Sequence, residues 1–184
     1  MMMIELFDVS EFSAYASNWE NDPESLALKE TYILSAREKV EDYLGYSLAL
    51  EEQDEYISGI GDTSIYLSAF GAEKVNLISV EGSVLSADSF TVSGNRVTSK
   101  MSNYRFPKGL DNIYVNYVSG WTKENLPASI KMAVYRIAAL MLSESHGNIG
   151  VTSKTFGDQS RTFVTLNDYS KYLKAISGYR PLRI

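Results

Sequence analysis

The chain has 184 residues, a formal net charge of −6, one histidine and no cysteine. The lack of thiols excludes a disulfide framework, a cysteine nucleophile and a cysteine-based zinc site, and a single histidine excludes a multi-histidine metal site. At this length we predict one compact domain over residues 1–184, and an acidic chain is a poor candidate for tight nucleic-acid binding.

The N-terminal part predicts two helices. Residues 1–7 lack the basic start and apolar core of a signal peptide, so a cytosolic origin is the default expectation. Asp8, followed by a glutamate three residues later, resembles a capping box and predicts a short helix. Asp22-Pro23 is a stronger start signal, and the long helix that follows should end at about Leu44, before Gly45.

The hydrophobic pattern changes period after this long helix. Short alternations of apolar and polar residues follow at Lys74–Val80, at Phe90–Ser99 around a central glycine, and at Asn112–Val118. Neighbouring strands joined by short turns pair antiparallel, and a two-residue loop with glycine is typical of a hairpin. We therefore predict a small antiparallel β part over residues 47–121.

The stretch Pro127–His146 predicts the central helix. It begins with a proline, precedes a glycine and carries apolar residues around most of its circumference. Such a helix is surrounded by protein, whereas Lys131 and Arg136 argue against a membrane span. The predicted fold is α+β and mainly helical: this buried helix and two or three others occupy residues 1–46 and 126–184, with the β part inserted between them.

The segment 148–165 has no core pattern of its own. It is polar, contains glycine and is long for a plain connector, which is typical of a functional loop. A last helix should begin at Asn167 or Asp168 and end at Gly178. The tail after it, Tyr179–Ile184, is basic.

No motif in the sequence predicts catalysis. Gly59–Asp62 contains two glycines, but no third glycine opens a helix after it, so a hairpin turn is the better interpretation. The acidic run Glu51–Glu55 could hold a hard cation through oxygen, although such runs are more commonly solvated. We predict no catalytic residue, no metal site and no cofactor, and a protein that is not an enzyme.

Two helical stretches resemble helices of bacteriophage head–tail connector proteins, the adaptor subunits beneath the portal. The long helix ends in Tyr43-Leu44-Gly45-Tyr46, similar to the family's Tyr/Leu-Gly-Arg-like step, although Tyr46 stands where a basic residue is common. The helix LPASIKMAVYRIAALML, residues 126–142, is similar to the family's "lP..lk.A...la..l" pattern.

The strand end and the loop carry the resemblance further. VNYVSGW, residues 115–121, resembles the family's strand ending in "Y-x-x-G-[YW]". Gly150-Val151-x-Ser153, then Gly157-Asp158-x-Ser160 with Phe163, is similar to "G-V-x-S…G-D-x-S-x-x-[YF]". The β insertion is longer than in the smallest members of the family.

The resemblance implies a structural virion protein at the head–tail interface, made in the bacterial host cytoplasm and having no membrane partner. Such subunits form a ring, dodecameric in the virion, that docks on the portal protein, extends the DNA channel and receives the stopper or tail-completion protein. DNA would pass through the ring transiently and without sequence specificity. The resemblance places the loop at the channel or a subunit contact through Ser153, Lys154, Gly157, Asp158, Ser160 and Arg161. It places the tail toward the portal through Tyr179, Arg180 and Arg183.

The charges suit a ring of identical copies. Residues 1–55 hold 14 Asp/Glu against 3 Lys/Arg, and residues 56–184 hold 9 acids against 14 bases. Unequal charge often only solvates different faces, but it also suits subunits that bind head to tail. Our hypothesis is that Glu38, Glu41 and Asp42 face bases of the neighbouring copy.

A binding module is the alternative function. Aromatic side chains on a β-sheet can stack against sugars or bases. Tyr114, Tyr117 and Trp121 are the candidates for a carbohydrate- or receptor-binding surface, and the hypothesis requires that they be exposed.

Overall fold

The computed structural model describes residues 6–16, 23–145, 153–156, 159–162 and 169–181. Its α-helices are α1 (Val9–Tyr15), α2 (Pro23–Leu44), α3 (Ala128–Ser145) and α4 (Ser170–Ala175). Its strands are β1 (Glu51–Gly59), β2 (Ser64–Tyr66), β3 (Lys74–Val80), β4 (Ser83–Leu85), β5 (Phe90–Ser93), β6 (Arg96–Ser99), β7 (Gly109–Ser119), β8 (Ser153–Phe156) and β9 (Gln159–Thr162).

The α+β class holds, but the prediction of a mainly helical fold with a small β part is wrong. Strands β1 to β7 form two substantial sheets, with orders β1-β7-β3-β4 and β2-β6-β5. The sequence understates the β content because strands with polar outer faces give a weak apolar signal. Strand β1 contains the whole acidic run, and its alternation leaves Glu52 and Asp54 exposed and Gln53 half-buried.

The chain divides into two compact units. The first, the sheet unit, consists of Leu44–Asn125 together with residues 179–181. The second, the helix unit, consists of the described residues of Glu5–Tyr43 and Leu126–Gly178.

Strand β7 organises the sheet unit. It lies between β1 and β3, antiparallel to both, and its inward residues Ile113, Val115 and Tyr117 are fully buried. They share one apolar core with residues of the second sheet, including Ile65, Val97 and Phe90. Burial of this apolar area is the main stabilising term for the unit.

A tight turn joins β5 to β6. Ser93 pairs with Arg96, so Gly94-Asn95 forms the predicted two-residue loop. Gly94 has a φ of +65°, whereas Asn95 is buried and donates a hydrogen bond from Nδ2 to the carbonyl of Leu67 at 3.1 Å. A glycine at the first position is typical of a type II′ hairpin.

The helix unit is organised around Tyr135 on α3. Its ring lies 6.0 Å from Phe7, 5.6 Å from Phe12 and 6.5 Å from Tyr15. Its hydroxyl donates to the Asp8 carbonyl at 3.2 Å and also lies at hydrogen-bond distance from the Asp8 amide. Burial raises the pKa of Tyr135 to about 12, so this side chain stays neutral and fixes α1 against α3.

The start of α1 and both bounds of α2 follow the sequence signals. Asp8 caps α1 by accepting from the Ser10 amide at 2.7 Å, while the glutamate expected to complete a capping box, Glu11, pairs with Lys131 at 3.2 Å instead. Helix α2 begins at Pro23 and ends before Gly45, whose φ is +86°. Only glycine adopts that conformation without strain.

Candidate interaction surfaces

A groove of 530 Å³ lies in the sheet unit, along β1 and β2. Among the described strands, β1 pairs with β7 alone and β2 with β6 alone, so each has one edge without a strand partner. The groove is lined by residues of both strands and of the segments that follow them, by Asp111 of β7 and by the C-terminal part: Glu55, Tyr56, Ile57, Ser58, Ile60, Ser64, Ile65, Tyr66, Leu67, Ser68, Asp111 and Pro181. Its wall therefore combines apolar side chains with three serines and two carboxylates.

One hydrogen-bonded link crosses from β1 to the segment after β2. The backbone amide of Ser68 donates to both carboxylate oxygens of Glu55, at 3.1 and 3.2 Å. Asp111, the second carboxylate of the groove wall, accepts a hydrogen bond from the Ser58 hydroxyl at 3.2 Å. The Glu55 contact links β1 to the segment after β2, whereas the Asp111 contact joins β1 to β7, and each carboxylate keeps further acceptor capacity.

The C-terminal part is anchored to the sheet unit through Tyr179. The Tyr46 hydroxyl donates to the Tyr179 carbonyl at 2.9 Å, and the Tyr179 ring meets Phe70 at 5.8 Å and Trp121 at 6.3 Å, edge to face. Burial, and then the nearby Tyr179, raises the pKa of Tyr46. Of the residues predicted to face the portal, Tyr179 is thus half-buried, Arg180 is exposed and Arg183 lies outside the described residues.

The outer face of the four-stranded sheet is polar. The exposed Tyr56 ring lies 5.2 Å from Tyr114, and Tyr114 donates a hydrogen bond to Asp54. Asn116 donates to Asp54 and to Glu52, both at 2.9 Å. The hydrogen bond from Tyr114, and then that from Asn116, lowers the pKa of Asp54. The exposed acids of β1 are therefore hydrogen-bonded to side chains of the neighbouring strand β7.

The binding-module alternative loses two of its three residues. Tyr117 is 0% exposed and Trp121 is 7% exposed, so neither ring can stack against a ligand. Burial raises the pKa of Tyr117 to about 12, as expected for a core side chain. Tyr114 alone remains accessible, paired with Tyr56.

The proposed acidic face of α2 is partly neutralised within the chain. Glu38 and Asp42 are exposed, whereas Glu41 accepts from Arg37 Nε at 2.9 Å, one helical turn away. The structure therefore separates Glu41 from the other two acids, and the charge available to a partner lies on Glu38 and Asp42.

The predicted loop contains a β-hairpin. Strands β8 and β9 are antiparallel, and their register pairs Lys154 with Arg161 and Thr155 with Ser160. Ser153 is paired with Thr162, while Gly157 and Asp158 lie outside the described residues. The prediction of a loop missed these strands, although two short alternating runs around Gly-Asp are a hairpin signal.

Within the described part of the chain, no group of three or more His, Asp or Glu side chains could hold a metal ion. The same residues contain no helix long and apolar enough to cross a membrane.

Comparison with known proteins gives one family and one fold. The sequence profile of the head completion protein family matches residues 4–181. A chain from the neck of an empty gene transfer agent particle, computed with C6 symmetry, has a TM-score of 0.57 and 13% identity, covering 100% of this chain and 95% of that one. A chain from the virion of a native gene transfer agent particle has a TM-score of 0.56 and 12% identity, with coverage of 100% and 94%. No curated protein matches the chain.

Proposed function

The chain belongs to the head completion protein family, and on that premise we propose that it is a non-enzymatic structural subunit of the phage virion, joining head to tail. The observation that carries this proposal is the family match over residues 4–181, which includes both units of the structure. The fold shared with gene transfer agent neck and virion chains over the whole length supports the same location.

We further propose that copies of the chain form a ring beneath the portal, dodecameric in the virion, which extends the DNA channel and receives the stopper or tail-completion protein. The C6 symmetry of the neck that contains a similar chain supports this, because a twelve-fold ring also contains a six-fold axis. The net acidic charge is compatible with DNA passage, since a channel should not hold phosphates tightly.

In this proposal the β8–β9 hairpin, with its paired Lys154 and Arg161, lies at the channel or at a subunit contact. Tyr179, Arg180 and Arg183 are directed toward the portal. The organisation of the chain as one domain over residues 1–184 stays a prediction.

A phage with a stop codon early in this gene tests the proposed role. We expect DNA-filled heads and complete tails that do not join, visible by electron microscopy of lysates, and restoration of infectious particles when the gene is supplied in trans. Normal joined particles without the protein would contradict the proposal.

Charge reversal on α2 tests the proposed subunit contact. We expect the double variant Glu38→Lys, Asp42→Lys to weaken ring assembly by about tenfold or more at low salt, because it places like charges against the neighbour's bases. Sedimentation velocity over a concentration series measures the effect. The control Glu30→Lys, Asp88→Lys makes the same change of net charge at two other exposed acids. Equal assembly of both variants and the natural chain would show that this face is not the contact.

A further inference from the structure

We propose that Arg136 and Lys171, the basic pair, meet Glu38 and Asp42 of the neighbouring copy in the ring. This inference rests on the proposed function, because it names the other side of a contact between subunits. Its evidence is two cations that lie over one tyrosine ring of the helix unit, and two exposed acids on a different helix of the same unit.

The ring of Tyr172 on α4 holds the basic pair in place. The guanidinium of Arg136, on α3, lies 5.6 Å from the ring centroid, and the ammonium of Lys171 lies 4.9 Å from it. Both residues are exposed. A tyrosine ring attracts cations through its quadrupole, so it restricts two long side chains before a partner binds. Binding then costs less side-chain entropy.

The basic pair is not neutralised within the described part of the chain. There, no acid forms an ion pair with either cation, whereas Arg37 pairs with Glu41 and Lys131 with Glu11. Two like charges beside one ring repel each other. An anionic partner therefore gains attraction from both cations at once and relieves this repulsion.

The acids of α2 have a spacing that suits the basic pair. Glu38 and Asp42 are exposed and stand one helical turn apart, about 6 Å along the axis. The helical repeat places them opposite the buried Ile33 and Val40, so they point away from the core of the helix unit. Among the residues that the structure describes, neither acid forms an ion pair within its own subunit.

The neighbouring copy fits the basic pair better than DNA does. A head-to-tail ring needs two different, complementary patches on each subunit, and this chain carries acids on α2 and bases on α3 and α4. A DNA backbone is also anionic, but the net charge of −6 opposes its approach at long range. The observations therefore favour α2 of the next copy as the partner.

Complementary charge reversal tests the pairing. The acid-reversed variant is Glu38→Lys, Asp42→Lys, and the base-reversed variant is Arg136→Glu, Lys171→Glu. Each variant alone has one sign of charge on both sides of the contact, so we expect it to assemble at least about tenfold more weakly at low salt. An equimolar mixture should assemble again, because the bases of one variant then meet the acids of the other.

Mass photometry measures assembly with the portal protein of the same phage present, so that rings that need the portal are also counted. The four substituted side chains are exposed, so the variants should fold normally. The control Lys74→Glu, Lys108→Glu makes the same change of net charge at two exposed bases of the sheet unit. It should assemble like the natural chain.

The outcomes separate this pairing from the connector role. Normal assembly of the base-reversed variant, or a mixture that stays unassembled, would overturn the pairing while the natural chain still forms rings. If base reversal left assembly unchanged but weakened binding of a labelled DNA duplex, the basic pair would contact DNA instead. Failure of the natural chain itself to form rings would contradict the connector role and, with it, this inference.

Discussion

Replacing Gly120 with alanine is expected to lower the free energy of unfolding by about 3 kcal/mol or more, combining backbone strain with a steric clash. Gly120 follows β7 and has a φ of +103°, and a Cβ there would lie 2.2 Å from the Ala49 carbonyl oxygen and 2.6 Å from its carbon. Both atoms are backbone, so no side chain can move aside. The Trp121 amide donates a hydrogen bond to the Leu48 carbonyl at 2.9 Å. Because this bond joins the same two backbone segments, relieving the clash would also lengthen it.

Gly82→Ala is the matched control for Gly120→Ala. Gly82 has a φ of +82°, but nothing lies within 4 Å of the position that a Cβ would take there. Its substitution should cost only the conformational term, about 1–2 kcal/mol. Chemical denaturation of both variants measures the difference. Equal losses would show that the contact with Ala49 is not tight.

Replacing Tyr135 with alanine is expected to cost about 3–5 kcal/mol, the range for removing a large buried aromatic side chain. The variant loses the ring contacts with Phe7, Phe12 and Tyr15 and the hydrogen bond to the Asp8 carbonyl. Because these contacts fix α1, thermal unfolding should start earlier and protease cleavage within residues 6–16 should speed up.

Tyr135→Phe divides this effect into its two parts. It keeps the ring and removes only the hydroxyl, so we expect a loss of about 1–2 kcal/mol. The Phe variant should retain the protease resistance of α1. If it were as unstable as the alanine variant, the hydroxyl contacts with the Asp8 carbonyl and with Glu11 Oε2, each 3.2 Å long, and not ring packing, would hold α1.

Local signals predicted several elements well. Helix α2 has its predicted bounds because Pro23 and Gly45 restrict the backbone next to them. Strand β3 lies at Lys74–Val80 as predicted, and the β5–β6 hairpin follows its glycine. In each case the information lies within a few residues of the feature.

Long-range contacts escaped prediction. The bond between Tyr46 and Tyr179 joins residues 133 positions apart, and no local pattern couples them. Lys29 on α2 is 0% exposed, with Nζ 3.4 Å from Ser13 Oγ, whereas a lysine is rarely buried and its sequence position alone predicts no such partner. In the sequence, the acidic start of β1 resembles a solvated run. Its hydrogen bond from Asn116 to Glu52 could not be predicted, because it depends on the pairing of β1 with β7.

The candidate surfaces were predicted in part. The charge of Glu38 and Asp42 could be read from the sequence, but the pairing of Glu41 with Arg37 required the side-chain geometry. The groove could not be anticipated, because it arises where two sheet edges approach and neither strand predicts the other.

Assembly on the portal tests the central claim most directly. The purified chain is imaged by negative-stain electron microscopy, alone and mixed with the portal protein of the same phage, and mass photometry gives the copy number. We predict closed rings with an open centre, seated on one end of the portal, even if the chain alone is a monomer. A chain that stays monomeric and unbound at every ratio to the portal would contradict the account.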